Sequence, residues 1–130
     1  VRAAAFFDID GTLTRTTILH PLIWYCRAHY SWPRFSWFCL GLAVRAPWYA
    51  WVDHRSRGQF NIVFYRCYKG LNAEDLRSWH RRTFAGNLQP RLFPAALSCV
   101  RRHQAQGHPI VLVTGGLEMV MQPLADFLGA

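Results

Sequence analysis

Lysine and acid are what this chain has least of: one lysine, Lys69, and seven Asp or Glu in 130 residues, against fourteen arginines. The resulting formal charge of +8 favours anionic partners such as phosphoesters, nucleic acid or acidic lipid headgroups, and says nothing about fold. Cysteine pairs are also missing. Cys26, Cys39, Cys67 and Cys99 are far apart and form no Cys-x-x-Cys, which argues against a zinc site and a compact disulfide framework, so reduced thiols are expected. The six histidines, His20, His29, His54, His80, His103 and His108, show no ligand spacing. No internal repeat or low-complexity tract occurs. No basic segment with an apolar core and a cleavage site precedes Ala3, so no signal peptide is read and a cytoplasmic location is expected. Adjacent pairs Arg81-Arg82 and Arg101-Arg102 cannot both face one side of a helix and read as rim charges.

An uninterrupted membrane-spanning run is absent as well. Phe35 to Val52 carries one charge in eighteen residues, at the lower limit for a spanning helix, but Arg45 and Pro47 break it near its C-terminal third. Trp48, Tyr49 and Trp51 would suit an interfacial belt, so peripheral membrane contact through this segment stands beside plain packing as a reading.

What is present begins at the N-terminus. Ala3 to Phe7 is an apolar run without alternation, expected as strand 3–8 covered on both faces, and it delivers Asp8 and Asp10 into a Gly11-Thr12 turn. In an open α/β sheet ligands lie beyond the carboxyl ends of strands, which is where these two acids fall. Gly11 gives the turn backbone freedom and lets N–H groups approach an anion. Pro109 to Val113 is a second buried parallel strand, ending in Thr114-Gly115-Gly116. Before it, Pro94 suits a first helical turn, Phe93, Ala96, Leu97 and Val100 recur at helical spacing, and Gly107 ends the helix. Leu117 to Leu128 is a further helix that Pro123 is expected to kink or split. Between the two strands the chain is rich in Trp, Tyr, Phe and Arg, with helices expected near 17–30, 33–46, 57–69 and 73–85. Ser56-x-x-Gln59 has capping-box form, and Asn72 precedes Glu74 and Asp75 at the positive end of a helix dipole.

Asp-x-Asp-Gly-Thr-Leu after a hydrophobic strand resembles the first motif of the haloacid dehalogenase superfamily, and Thr114-Gly115-Gly116 resembles its second. The chain is most similar to the phosphoserine-phosphatase-like members, which insert a small helical cap between these motifs. The fold implied is α/β: a Rossmann-like parallel-sheet core, incomplete here, with a helical-bundle cap. Residues 1–16 would be the core strand and catalytic loop, 17–86 the cap, and 87–130 the rest of a core truncated before the later motifs. With Val1 at its start, the chain is expected to be a portion of a longer protein.

The resemblance implies a Mg²⁺-dependent phosphomonoester hydrolase acting on a small phosphorylated substrate. Asp8 would be the nucleophile and Asp10 the general acid and base, and both would be metal ligands, Asp8 through a carboxylate oxygen and Asp10 through its backbone carbonyl, beside a later acid. Gly11, Thr12, Thr114 and Gly115 would bind phosphate. A cation is needed because two carboxylates otherwise repel a phosphate dianion. Departures from the family are equally visible. Its Lys and its further acidic motif have no counterpart, since Lys69 lies in the insert and only Glu118 and Asp126 follow Thr114. Residues 1–130 alone are therefore expected to be poorly active. Thr17 stands where phosphoserine phosphatases have a Glu, which puts phosphoserine in doubt, and Arg55, Arg57 and Arg66 remain candidates for a second anionic group. Two alternatives stay open: a membrane-surface module acting on lipid-linked phosphate, and a non-catalytic binding domain. Nucleic-acid binding rests on charge and aromatics alone and is the weakest reading.

Overall fold

A computed structural model describes residues 3–130. It is a mostly helical α/β fold with a small parallel sheet, and the chain divides into two compact units, residues 1–21 with 73–130 and residues 22–72.

In the first unit, strand β1 (Ala5–Asp8) pairs in parallel with β2 (Ile110–Val113), Ala5 opposite Ile110 through Asp8 opposite Val113. Side chains alternate across a pleat, and only one face of this sheet is covered. Ala5, Phe7, Ile110 and Leu112 share the inner face, where Phe7 meets His103 edge-on at 5.9 Å. Phe6, Val111 and Val113 lie on the other face, and Phe6 is 68% exposed. The strands expected to be buried on both sides are thus half-open, because no described element packs over the outer face. His103 belongs to helix α5 (Pro94–Ala105), which begins at Pro94 and is followed by Gly107 with φ +73°, the left-handed residue that turns the chain toward β2.

Helix α6 (Glu118–Leu128) follows β2 and is neither split nor interrupted at Pro123. Proline removes one N–H bond, and here Pro123 is itself buried beside Val120, Met121, Leu124 and Leu128, so apolar burial offsets the lost bond. Helix α4 (Ala73–Asn87) starts directly after Asn72, carries Glu74 and Asp75 in its first turn, and packs on α6. Phe84 meets Phe127 at 5.5 Å, and the Arg81 guanidinium lies 3.7 Å from Asp126.

His80 is buried on α4 with Trp79 edge-on at 4.9 Å, and burial pushes its pKa down from 6.5 to about 4. The folded protein therefore holds it neutral, while the unfolded chain takes up a proton near pH 6.5. Its contribution is complete above that pH and is lost as pH falls toward 4, by up to about 3 kcal/mol. Urea unfolding at pH 7 and pH 4.5 is expected to show this loss, and His80→Phe is expected to remove most of it.

The second unit contains most of helix α1 (Leu19–His29), all of α2 (Trp32–Arg55) and α3 (Arg57–Tyr65), and a 3₁₀ turn over Arg66–Tyr68. Ser56 caps α3: its Oγ accepts the Gln59 N–H at 3.4 Å, the first half of the expected capping box. Helix α2 is longer than expected and runs straight through Pro47 to Arg55. The reason is what lies beyond the proline. Tyr49 and Val52 are buried one turn later, and Tyr49 meets Phe60 and Phe64 of α3 at 6.0 and 6.3 Å. Tertiary burial of those two residues outweighs one missing backbone bond. Phe64, fully buried, is the hub of this aromatic core, within 5.7 to 6.3 Å of Tyr49, Phe60, Tyr65 and Tyr68. All four cysteines are free thiols, and Cys26, buried, has its thiol pKa raised by desolvation.

Candidate active site

The loop after β1 is wound around one carbonyl. Ile9 O accepts the N–H groups of Leu13 and Thr14 at 3.0 and 3.1 Å and the Thr14 hydroxyl at 3.2 Å. Ile9, Leu13, Thr14 and Thr16 are all buried, so this polar loop has an apolar floor. It is tied to the rest of the unit by Arg15 N–H donating to Arg91 O and Phe93 N–H donating to Leu13 O. Gly11 sits at the tip with φ +78°, a conformation that costs a side-chain-bearing residue roughly 1–2 kcal/mol. Its N–H donates to Thr14 O at 2.9 Å and so closes the turn.

The two acids are held by hydroxyls from the same loop. Asp8 is exposed at the end of β1, and Thr12 Oγ1 donates to its Oδ2 at 2.8 Å. Asp10, half-buried, has Oδ1 3.3 Å from Thr16 Oγ1, and Thr16 Oγ1 lies 2.6 Å from Thr14 Oγ1. Thr14 and Thr16 were not among the expected site residues. Thr14 reads as an ordinary loop residue, and only its complete burial beside Thr16 shows otherwise.

The second strand end lies alongside the first, since Asp8 is in register with Val113, the residue before Thr114. Thr114 Oγ1 accepts the Gly116 N–H at 2.8 Å, which fixes the side chain and leaves its own proton to donate outward. The space at Gly116 is also tight, because a Cβ there would lie 3.0 Å from Thr114 Oγ1 and 3.1 Å from Met121 Cε, so one of those side chains would have to give way. Gly115 is exposed between them, ahead of the α6 N-terminus, where backbone N–H groups and the helix dipole favour an anion. A cavity of about 290 Å³ opens beside Thr114, lined by Ile9, Leu112, Gly116, Glu118 and Met121. Asp8 and Asp10 are not part of its wall.

The donor set suits a hard cation in part. Asp8 offers a carboxylate oxygen and Asp10 a backbone carbonyl from one loop, and Mg²⁺ is commonly held by one or two carboxylates with water and substrate oxygens completing the shell. Among the described residues no group of three His, Cys, Asp or Glu converges. Glu118 faces the cavity beside Thr114, while Asp126 accepts from Gln122 Nε2 at 2.9 Å and pairs with Arg81. Thr17 is exposed and hydrogen-bonded to His20 Nδ1 at 3.0 Å. Of the candidate arginines, Arg57 pairs with Asp53 at 3.2 Å and Arg55 lies over the Trp51 ring.

Residues 5–130 match the family model described as haloacid dehalogenase-like hydrolase. The chain is 32% identical over 126 residues to Protein CicA in two strains of Caulobacter vibrioides, covering 95% of this chain and 54% of that protein. It therefore spans about half the length of the curated relatives it matches. Its fold is similar to a crystal structure of a protein of unknown function from Bordetella pertussis Tohama I, with a TM-score of 0.73 and 22% identity over the whole of this chain and 58% of the other. The small parallel sheet with its helical insert is consistent with an incomplete core and a cap of this class, and the chain belongs to the haloacid dehalogenase-like hydrolases.

Proposed function

We propose that the protein carrying these residues is a Mg²⁺-dependent phosphomonoester hydrolase of the phosphoserine-phosphatase-like kind, working through an aspartyl-phosphate at Asp8. The observation that carries this reading is the alignment of two strand ends: Asp8, held by Thr12, and Thr114, held by Gly116, leave neighbouring strands in register. A candidate attacking carboxylate and a candidate anion-binding hydroxyl thus leave the same edge of the sheet, the end at which a phosphoryl group could be shared between them.

With Oδ2 of Asp8 occupied by the Thr12 hydroxyl, Oδ1 is the oxygen that attacks phosphorus as the ester P–O bond breaks. Asp10, protonated, gives its proton to the departing alkoxide. A water then attacks the phosphorus of the acyl phosphate, its proton returns to Asp10, and inorganic phosphate leaves with Asp8 restored. Thr114 Oγ1 and the Gly115 N–H donate to the phosphoryl oxygens. Asp8, Asp10 and the substrate would hold Mg²⁺, which when bound supplies the positive charge that lets two carboxylates approach a dianion.

The hydroxyl chain explains how Asp10 serves twice. Thr16 donates to Asp10 Oδ1, a bond that the carboxyl can accept in both protonation states, which leaves Oδ2 to carry the proton exchanged with the leaving group and then with water. Either state leaves Asp10 hydrogen-bonded to Thr16. Removing that link with Thr16→Val is expected to lower kcat about tenfold, the worth of one hydrogen bond to a charged group, with KM little changed. Thr16→Ser, which keeps the hydroxyl, is expected to stay within about twofold.

The test of the whole reading is hydrolysis of an aryl phosphate by the protein at its full natural length. Turnover that stops with EDTA and returns with Mg²⁺ supports it. Folded protein that turns over no phosphomonoester under any metal would leave a binding domain that keeps the family fold.

A further inference from the structure

Helix α2 has a face that no described residue of 22–72 covers. Trp37, Leu40, Val44, Trp48 and Trp51 recur at spacings of three and four, and at about 100° per residue they fall within roughly 80° of arc. They form a stripe about 21 Å long at ~1.5 Å per residue. Each is exposed, Trp37 and Val44 at 73%, Trp51 at 55% and Trp48 at 47%. The packing of the helix runs through Tyr49, well away from the stripe, and Val52 beside its edge, so the stripe itself is left out of the core of residues 22–72.

The charge around the stripe is of one sign. Residues 22–72 contain seven Arg or Lys and one acid, a net +6, whereas the rest of the chain has eight against six, a net +2. The single acid, Asp53, is paired with Arg57, and it lies off the stripe. Arg34 and Arg45 flank the stripe on one side and Arg55 closes its C-terminal end, with its guanidinium 4.8 Å above the Trp51 ring. No helix among the described residues is long and apolar enough to cross a membrane, so a spanning role does not account for these tryptophans.

We propose that this face of α2 docks on an anionic lipid surface, lying in the headgroup plane with the tryptophans inserted and the arginines on lipid phosphates. Exposed tryptophans in line, a basic rim and no acid on the face are what an interfacial helix needs. A second copy of the chain fits less well, because pairing two such faces would bring two Arg rims together. The binding does not depend on catalysis, and its test reads no activity.

The probe is co-sedimentation with vesicles of phosphatidylcholine containing about one-third phosphatidylglycerol, beside vesicles of phosphatidylcholine alone. Wild type is expected to partition at least about tenfold better onto the anionic vesicles, with the difference shrinking at high salt. Trp48→Ala with Trp51→Ala is expected to lose about tenfold or more on the anionic vesicles. Arg34→Gln, Arg45→Gln and Arg55→Gln together are expected to lose about a hundredfold, since each basic residue near such a surface is worth about fivefold. All substituted side chains are exposed, so circular dichroism should match wild type. Folded wild type that stays in the supernatant overturns the proposal, as does equal partitioning of wild type and the tryptophan variant. It is also overturned if wild type self-associates without lipid and the tryptophan substitutions abolish that instead.

Discussion

Asp8→Asn is expected to lower the rate of phosphate-ester hydrolysis by at least about a thousandfold while leaving the fold intact. The amide has the carboxylate's shape, and its oxygen still accepts the Thr12 hydroxyl, so the loop wound around Ile9 O should close as before. What disappears is the negative oxygen that attacks phosphorus, and losing a covalent nucleophile commonly costs several powers of ten. Asp10→Asn removes the proton carrier instead, with an expected loss of about 10²- to 10⁴-fold. The two variants separate by substrate. An ester with a leaving group acidic enough to depart unprotonated should give Asp10→Asn a burst of released leaving group followed by slow turnover, because water attack on the acyl phosphate still lacks its base, and should give Asp8→Asn no burst. Rapid-mixing and steady-state rates on a nitrophenyl and an alkyl phosphate check both statements.

The second large effect is on stability. Phe64→Ala is expected to destabilise residues 22–72 by about 3–5 kcal/mol, because it deletes the centre of a ring cluster and leaves a cavity that four surrounding aromatics cannot fill. That is a large part of the 5–15 kcal/mol that typically separates folded from unfolded domains. Val44→Ala on the exposed side of α2 serves as the control and is expected to change stability by less than about 0.5 kcal/mol. Guanidinium unfolding followed by near-ultraviolet dichroism, which reports tertiary packing around the rings, measures both. A similar midpoint for the two variants would mean that α2 and α3 are not held by this cluster.

Local chemistry was legible in the residues themselves. The Ser56 cap, the start of α4 after Asn72, Pro94 at the head of α5, Gly107 after it, and the two strands ending at Asp8 and Val113 all follow from interactions within a few positions. Features set by distant partners were not. Helix α2 passes through Pro47 because Tyr49 and Val52 find α3, and a proline rule applied locally ends the helix too early. An apolar strand pattern implies two covered faces, yet Phe6, Val111 and Val113 face outward. The site shows the same division. Asp8, Asp10, Thr12 and Thr114 stand out by type and spacing, whereas Thr14 and Thr16 matter through a 2.6 Å contact that no linear pattern encodes. Gly116 belongs to the same group, since the tightness around it comes from Thr114 and Met121 approaching it in space.

The central claim is that Asp8 itself becomes phosphorylated, and trapping addresses it most directly. The full-length protein is mixed with Mg²⁺ and an aryl phosphate, quenched during turnover with borohydride, and its peptides are analysed by mass spectrometry. An aspartyl phosphate is reduced to homoserine, so homoserine at position 8, dependent on both metal and substrate, is the expected result. Steady turnover with residue 8 recovered only as aspartate, or homoserine at position 10 instead, would contradict it.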